Sequence, residues 1–286
     1  MARRRYHYAF DATKHKRFLR EGRGRGEGKD YLPWVHVQDV PSRGFSSRIK
    51  GWKTGRIHHV LSNYELYTFL VGEWSRLIVD IREQYPLLEL EETLAIAKRC
   101  GIRHPTDPKT KYPIIMTTDF LFTLLLDGQR VLHACTFKHS KDLARKRTRE
   151  KMEIEKRYWR ERGVNWKIIT EFDIPLVLAK NVDNIHEAYY LSTYKDTNLI
   201  AEIAHRLTAL VQRQQRPLSR LALQCDAQLD QPPGTSLQVA YFLIATHQWH
   251  INMNLTLHPS RPLSLIKASL RDCQEEVASW QLASTR

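Results

Sequence analysis

Apolar positions fall at helical intervals after Ser62, with Leu66, Phe69, Leu70 and Trp74 forming one stripe. Ser62-Asn63-Tyr64-Glu65 has the spacing of a capping box, so a helix is predicted to start there. Arg76 to Arg82 is short and β-branched and is closed by Tyr85-Pro86, which reads as a strand. Glu91 to Arg99 predicts a brief helix, and the prolines and charges of Gly101 to Tyr112 predict a loop. Ile114 to Leu126 is apolar apart from its threonines and Asp119, and Asp127-Gly128 turns the chain into Val131 to Lys138, so the two runs are expected to form a hairpin. A charged helix from Lys141 to Arg162, halted at Gly163, leads into a last strand at Asn165 to Glu171.

Beyond Asn181 the pattern becomes helical, around Ile185 to Tyr194 and Asn198 to Gln214. A break at Pro217 precedes another helix, which ends before Gln231-Pro232-Pro233-Gly234. Ser236 to His250 follows, then alternating residues at Met253 to His258 and Leu263 to Lys267. Helices followed by a small hairpin suggest a winged-helix-like module. Three parts are therefore expected. Residues 1–30 read as a flexible basic arm, because Arg23-Gly-Arg-Gly-Glu-Gly28 is too polar and glycine-rich to pack alone. Residues 31–181 form an α/β domain, and residues 182–286 a mostly α domain.

Charge sharpens this division. The 286 residues include 45 Lys and Arg against 31 Asp and Glu, for a net charge of +14. Residues 1–56 hold 15 basic and 5 acidic residues, residues 57–181 hold 21 and 17, and residues 182–286 hold 9 and 9. The excess of +14 thus lies before residue 182, and it favours a polyanionic partner such as nucleic acid. Arg48, Lys50, Lys53 and Arg56, set around Trp52 between glycines, have the pattern of phosphate contacts. Hydrophobic residues make up 42% of the chain, enough for a sizeable core. No run approaches 18 apolar residues and no apolar stretch follows the basic amino terminus, so a cytoplasmic protein without a membrane span is expected. The four cysteines lie too far apart for a C-x-x-C zinc or redox site.

An acidic residue inside one strand of a hairpin, with a lysine at the end of its neighbour, is the arrangement of metal-dependent nucleases. Carboxylates bind magnesium, which polarises a phosphate and lowers the pKa of an attacking water, while lysine helps activate that water and offsets developing negative charge. Asp119 and Lys138 meet this requirement. The alternative for Asp119 is a buried aspartate held by backbone amides or one cation, and for Lys138 a solvated strand end. Glu65 is the candidate second carboxylate, but it also occupies the N3 position of the capping box, and both roles stand open on spacing. The adjacent His58 and His59 lack further ligands in spacing, so packing or phosphate contact is preferred to a metal.

Ser47-Arg-Ile-Lys-Gly-Trp-Lys-Thr-Gly-Arg-Ile-His-His59, Asp80-Ile-Arg-Glu-Gln-Tyr-Pro-Leu87, Met116-Thr-Thr-Asp-Phe120, Ser140-Lys-Asp-Leu143 and Glu150 to Trp159 resemble the TnsA family. These are endonuclease subunits of heteromeric, cut-and-paste bacterial transposases. The resemblance covers roughly residues 35–286 and is most specific over residues 40–175. It implies a restriction-endonuclease-like domain followed by a winged-helix-like one, with Glu65, Asp119 and Lys138 as catalytic carboxylates and lysine. It also implies magnesium, two ions in the usual arrangement, and cleavage of the non-transferred strand at the 5′ ends of a transposon. The partners it implies are DNA at the transposon ends, a TnsB-like transposase, and a TnsC-like ATPase reached through the carboxy-terminal domain. The family pattern ends in D/E-x-K or Q-x-K, whereas this chain has Thr136-Phe137-Lys138. Metal binding would then lean on the Thr136 hydroxyl or the Phe137 carbonyl, with Glu155 as an accessory acid on the following helix. Two other readings differ in class: a winged-helix DNA-binding regulator, with Asp119 and Lys138 structural, and a stand-alone restriction-fold nuclease.

Overall fold

The computed structural model describes residues 9–40 and 45–269, and the chain divides into two compact units at Ile174/Pro175. The first eight residues of the expected arm and the last seventeen of the chain, Cys273 among them, lie outside the described residues.

The first unit is built on a four-stranded sheet of β3 (Ile78–Pro86), β4 (Thr117–Leu126), β5 (Gln129–Phe137) and β6 (Asn165–Ile169), in that order; a separate antiparallel ribbon, β1 (Ser47–Lys50) and β2 (Ile57–Val60), precedes it. The strands β3, β4 and β5 pair antiparallel. The turn between β4 and β5 places Asp127 at φ 50° and Gly128 at φ 78°, two successive left-handed residues that match the right-handed twist of a hairpin. The strand β6 runs parallel to β5, because the chain between them crosses over through α4 (Ser140–Leu143) and α5 (Lys146–Glu161). The expected single helix from Lys141 to Arg162 is thus two, separated at Ala144 and Arg145.

Helix α2 (Asn63–Trp74) starts at its Ser62 cap, whose hydroxyl accepts from the Glu65 amide. It packs close to the sheet at Gly72, where a Cβ would lie 3.1 Å from the Phe122 ring and 3.2 Å from Ile81. Neighbouring strand residues face the other way, so Leu121 and Ala134 join Leu87, Ile96, Ile154 and Trp159 under α3 (Leu90–Arg99) and α5. Each large side chain among them contributes about 1.5–3 kcal/mol through its burial. Helices thus cover both faces of the sheet, an α/β arrangement that fits a restriction-endonuclease-like fold.

Residues 12–30 are no flexible arm. Helix α1 (Ala12–Arg20) is capped by Asp11, and its Phe18 joins Phe10, Trp34 and Ile115 in a second core. The glycines at 22, 24, 26 and 28 all take positive φ, folding the following segment into left-handed turns. Those turns direct Arg23 inward, 3.6 Å over the Phe18 ring, where it donates to the Trp34 carbonyl at 3.0 Å and pairs with Asp39. Glycine-rich, basic composition is shared by disordered segments and by such a loop, and only the buried aromatics tell them apart.

The second unit contains α6 (Leu176–Ile185), a 3-10 turn (Glu187–Thr193), α7 (Thr197–Arg213), α8 (Leu218–Gln228) and α9 (Thr235–Ala245). The boundary falls before residue 182 because α6 is fastened to this unit through Asn181, which is buried and donates to the carbonyls of Met253 and Leu255. Asn181 also accepts from the Leu257 amide at 2.9 Å. This explains why Met253 to His258 alternates without being a strand: its backbone bonds to one side chain. The ladder after α9 is instead β7 (Trp249–His250) with β8 (Lys267–Ala268). Among the described residues no helix is long and apolar enough to cross a membrane.

Candidate active site

Three elements of the first unit bring acidic and basic groups together: the first turn of α2, the start of β4, and the end of β5. Asp119 accepts from the Phe137 amide at 2.8 Å and from the Lys138 ammonium at 3.4 Å, both on Oδ2. Lys138 also donates to the Phe137 carbonyl at 2.6 Å. The Asp119 side chain is 13% exposed and that of Lys138 is 36% exposed, so the pair opens to solvent through the lysine. Partial burial works against the Lys138 charge, but Asp119, Glu155 and Glu65 outweigh it and hold the ammonium above the usual lysine range. Its part here is positive charge rather than proton uptake.

Of the two functions weighed for Glu65, the hydrogen bonds show the helix cap. Glu65 Oε2 accepts from the Leu61 amide at 2.9 Å and its Oε1 from the Ser62 hydroxyl at 3.2 Å, so it fastens the start of α2. It is also close enough to Asp119 for the two charges to interact. Burial first, and the Asp119 charge second, push its carboxyl up to about 7. A carboxyl whose pKa is raised first by burial and then by a nearby carboxylate is a group that a bound cation would favour in its ionised form.

Sequence reasoning overlooked Gln84. It lies buried in β3, with a left-handed backbone at φ 46°. Its amide nitrogen donates to Glu65 Oε2 at 3.2 Å and its oxygen accepts from the Thr117 hydroxyl at 3.2 Å, linking α2 to the start of β4. Nothing in the run Arg82-Glu83-Gln84-Tyr85 marks it, because both its exposure and its backbone conformation are set by the strands around it.

Two expected ligand positions are otherwise engaged. The Thr136 hydroxyl donates to Glu155 Oε1, which also accepts from Thr118 at 2.8 Å and from the Trp166 indole at 2.9 Å. Thr136 is therefore turned to Glu155 instead of standing as a metal ligand. Glu155 is buried, and burial raises its pKa against the pull of these three donors. The Phe137 carbonyl is held by Lys138. Among the described residues no three His, Cys, Asp or Glu side chains gather at metal-binding spacing. A divalent cation nonetheless suits Glu65 and Asp119, since magnesium keeps several waters and is held by as few as one or two carboxylates.

The four cations assigned to phosphate separate into two pairs. Arg48 and Lys50 are exposed on β1. Lys53 and Arg56 turn inward, which corrects their assignment. The Lys53 ammonium donates to the Ser75 carbonyl at 2.8 Å, and burial holds its pKa below the usual lysine range. Arg56 grips Glu83 with both nitrogens, at 2.8 and 2.5 Å, and donates to the Ile81 carbonyl at 2.8 Å. His58 completes this buried knot, 2.8 Å from Glu83 and 2.7 Å from Thr54. Burial alone would raise the Glu83 pKa, but His58 and Arg56 hold it far below the usual carboxylate range. His59 stacks on His36 with ring centres 4.7 Å apart.

Residues 75–171 match the family described as "TnsA-like endonuclease N terminal", a span that includes Gln84, Asp119, Lys138 and Glu155 and begins after Glu65. Residues 173–253 match "TnsA endonuclease C terminal". The chain is 41% identical over 202 residues, 71% of its length and 70% of the relative's, to the "Transposon Tn7 transposition protein TnsA" of Escherichia coli. The two family matches follow one another in the order of the two compact units, and the chain belongs to the TnsA family of transposition endonucleases.

Proposed function

We propose that this endonuclease is one subunit of a heteromeric transposase and that it hydrolyses the non-transferred DNA strand at the 5′ ends of a transposon, with Glu65, Asp119 and Lys138 as its working groups. The observation that carries the reading is the Asp119–Lys138 contact between the two inner strands, beside a Glu65 carboxyl whose pKa reaches about 7. Glu65 and Asp119 would hold magnesium, which supplies Lewis-acid polarisation of the scissile phosphate and an acidified water. Asp119 is oriented for this by the Phe137 amide, and Glu65 by Leu61, Ser62 and Gln84. Lys138, kept protonated by the surrounding acids, offsets the negative charge that grows on the phosphoryl oxygens in the transition state. The second ion of the usual arrangement would need donors other than Thr136.

A TnsB-like transposase would cut and join the other strand, and a TnsC-like ATPase would meet the carboxy-terminal unit, read here as winged-helix-like. Residues 182–286 carry 9 basic and 9 acidic residues, which suits a protein contact better than a phosphate track. The test is the complete transposition reaction with Asp119→Ala or Lys138→Ala. Cleavage of the 5′ strand is expected to disappear while 3′ joining by the partner continues, giving joined but incompletely excised products on a denaturing gel. Fully double-cut element released by both variants would overturn the assignment.

A further inference from the structure

A groove of about 520 Å³ lies between the loop 101–114 and the first turns of α5. Arg103 and Lys111 line it from the loop, and Arg147 and Lys151 from the helix. Glu150 is the one acid on its wall, and it is already paired with Arg147 at 2.9 Å. Arg103 and Lys151 are exposed and take no hydrogen bond or ion pair among the described residues. Four cations around one concavity repel each other, and this chain supplies one carboxylate to offset them.

The position of these cations on α5 adds two further arguments. The first turn of the helix contains Lys146, Arg147 and Arg149 and no acidic residue. Positive charge at the positive end of a helix is unfavourable unless an anion is bound there. Arg147, Lys151 and Glu155 are also spaced four residues apart, so they share one face of α5. That face runs from the groove to the site: Glu155 binds Thr136 next to Lys138, and the Lys138 charge, after burial and Arg147, helps to depress the Lys151 pKa. Lys151 in the groove and the active-site Lys138 therefore lie close enough for their charges to interact, with the acids Asp119, Glu155 and Glu65 at the site end.

Resting on the endonuclease reading above, we propose that this groove is the track for the DNA backbone next to the cleavage site, with Arg103, Arg147 and Lys151 as its phosphate contacts. It sets the substrate's register: phosphates seated in the groove place the neighbouring linkage at Asp119 and Lys138. Of the sequence footprint expected for phosphate, Arg48 and Lys50 are exposed while Lys53 and Arg56 turn inward, whereas this groove is formed only when loop and helix meet.

The test uses the full-length protein, a fluorescein-labelled 30-base-pair duplex of transposon-end sequence, and EDTA to prevent cleavage. The double variant Arg103→Ala/Lys151→Ala is expected to bind about tenfold more weakly at moderate salt and to lower the slope of log affinity against log salt by about 1.8, or 0.9 for each phosphate that is no longer neutralised. Lys156→Ala, which removes an exposed cation elsewhere on α5, serves as the control and is expected to keep the parent slope. Lys151→Arg is expected to keep most of the affinity, and unchanged melting of all variants shows that folding is intact. Cleavage by the double variant in the complete reaction is expected to fall and to recover as salt is lowered. Parent-like slope and parent-like cleavage in the double variant would overturn the groove proposal, while loss of cleavage in Asp119→Ala would leave the endonuclease assignment standing. A slope lowered equally by Lys156→Ala would also overturn it, because the effect would then be one of net charge.

Discussion

Two basic stretches of the first unit use their cations in opposite ways. Between residues 23 and 56 the arginines and lysines that dominate the sequence turn partly inward: Arg23 stacks on Phe18, Lys53 caps the Ser75 carbonyl, and Arg56 locks Glu83. Around the start of α5 and the loop 101–114, Arg103, Lys111 and Lys151 stay at the surface around a groove. Both stretches are basic, yet in the first much of the charge holds loops to the sheet. Net charge along a sequence thus reports attraction to polyanions only after the buried, paired cations have been subtracted.

The largest effect that separates the two stretches is on stability. Arg56→Ala leaves Glu83 fully buried with only His58 and the His59 amide as partners, and is expected to lower unfolding free energy by about 3–5 kcal/mol. Denaturant unfolding of Arg56→Ala beside Arg103→Ala checks this, and equal, small losses in the two variants would contradict the division.

A pH effect of somewhat smaller size follows from Glu73, which accepts from the Trp52 and Lys53 amides. Burial, opposed by the Lys53 charge and these amides, pushes its carboxyl up to about 7 from an ordinary 4.5. The folded state therefore keeps a proton that the unfolded chain has released, so this stabilisation is complete below pH 4.5 and is lost as pH rises through 7. The loss is on the order of 3 kcal/mol at most. Glu65 has the same sign, so the comparison must be with Glu73→Gln, which is expected to gain stability relative to the parent between about pH 5 and pH 8. A constant difference across that range would mean that Glu73 is ionised and paired with Lys53.

Smaller still is the contribution of Gln84. Gln84→Ala removes its bonds to Glu65 and Thr117 and is expected to destabilise the fold by about 1–3 kcal/mol. Cleavage is expected to fall more than DNA binding does, since the positioning of Glu65 is lost while the groove cations remain. Equal losses in both would point to general unfolding. The smallest effect belongs to Arg48 and Lys50 on β1: replacing both by alanine is expected to change stability by less than about 0.5 kcal/mol, as thermal melting would record.

Much of the sheet and its helices was legible in sequence because local chemistry decides it. Ser62 and Glu65 mark the start of α2, and Asp127-Gly128 demands the turn between β4 and β5. The period of the α2 stripe is only partly matched by burial: Phe69 and Leu70 are buried, whereas Leu66 and Trp74 are half-buried and Glu65, Thr68 and Glu73 are buried in their stead. Of the candidate site, Asp119 and Lys138 were legible as a candidate pair from residue type and spacing and Glu65 as a cap or a carboxylate, with the choice of role resting on the family resemblance, whereas Gln84 and the turn of Thr136 toward Glu155 were not legible. A glutamine in a strand has no distinguishing pattern, and a threonine's hydroxyl goes where its acceptor is. The hairpin expected after α9 is a similar case: alternation at Met253 to His258 has period two, but Asn181, far away in sequence, takes its backbone bonds.

The sequence by itself determined where α2 starts and where β4 turns into β5, the acid-in-strand and lysine-at-strand-end pattern, and the total of positive charge. Tertiary structure alone decided which charges reach solvent and which carboxyls share a field. The physical reason is that helix caps, turns and periodicity act over a few residues, whereas desolvation and charge coupling depend on every atom nearby. Glu65 shows both at once: its cap is written within four residues, while its raised pKa comes from burial and from Asp119 on another element.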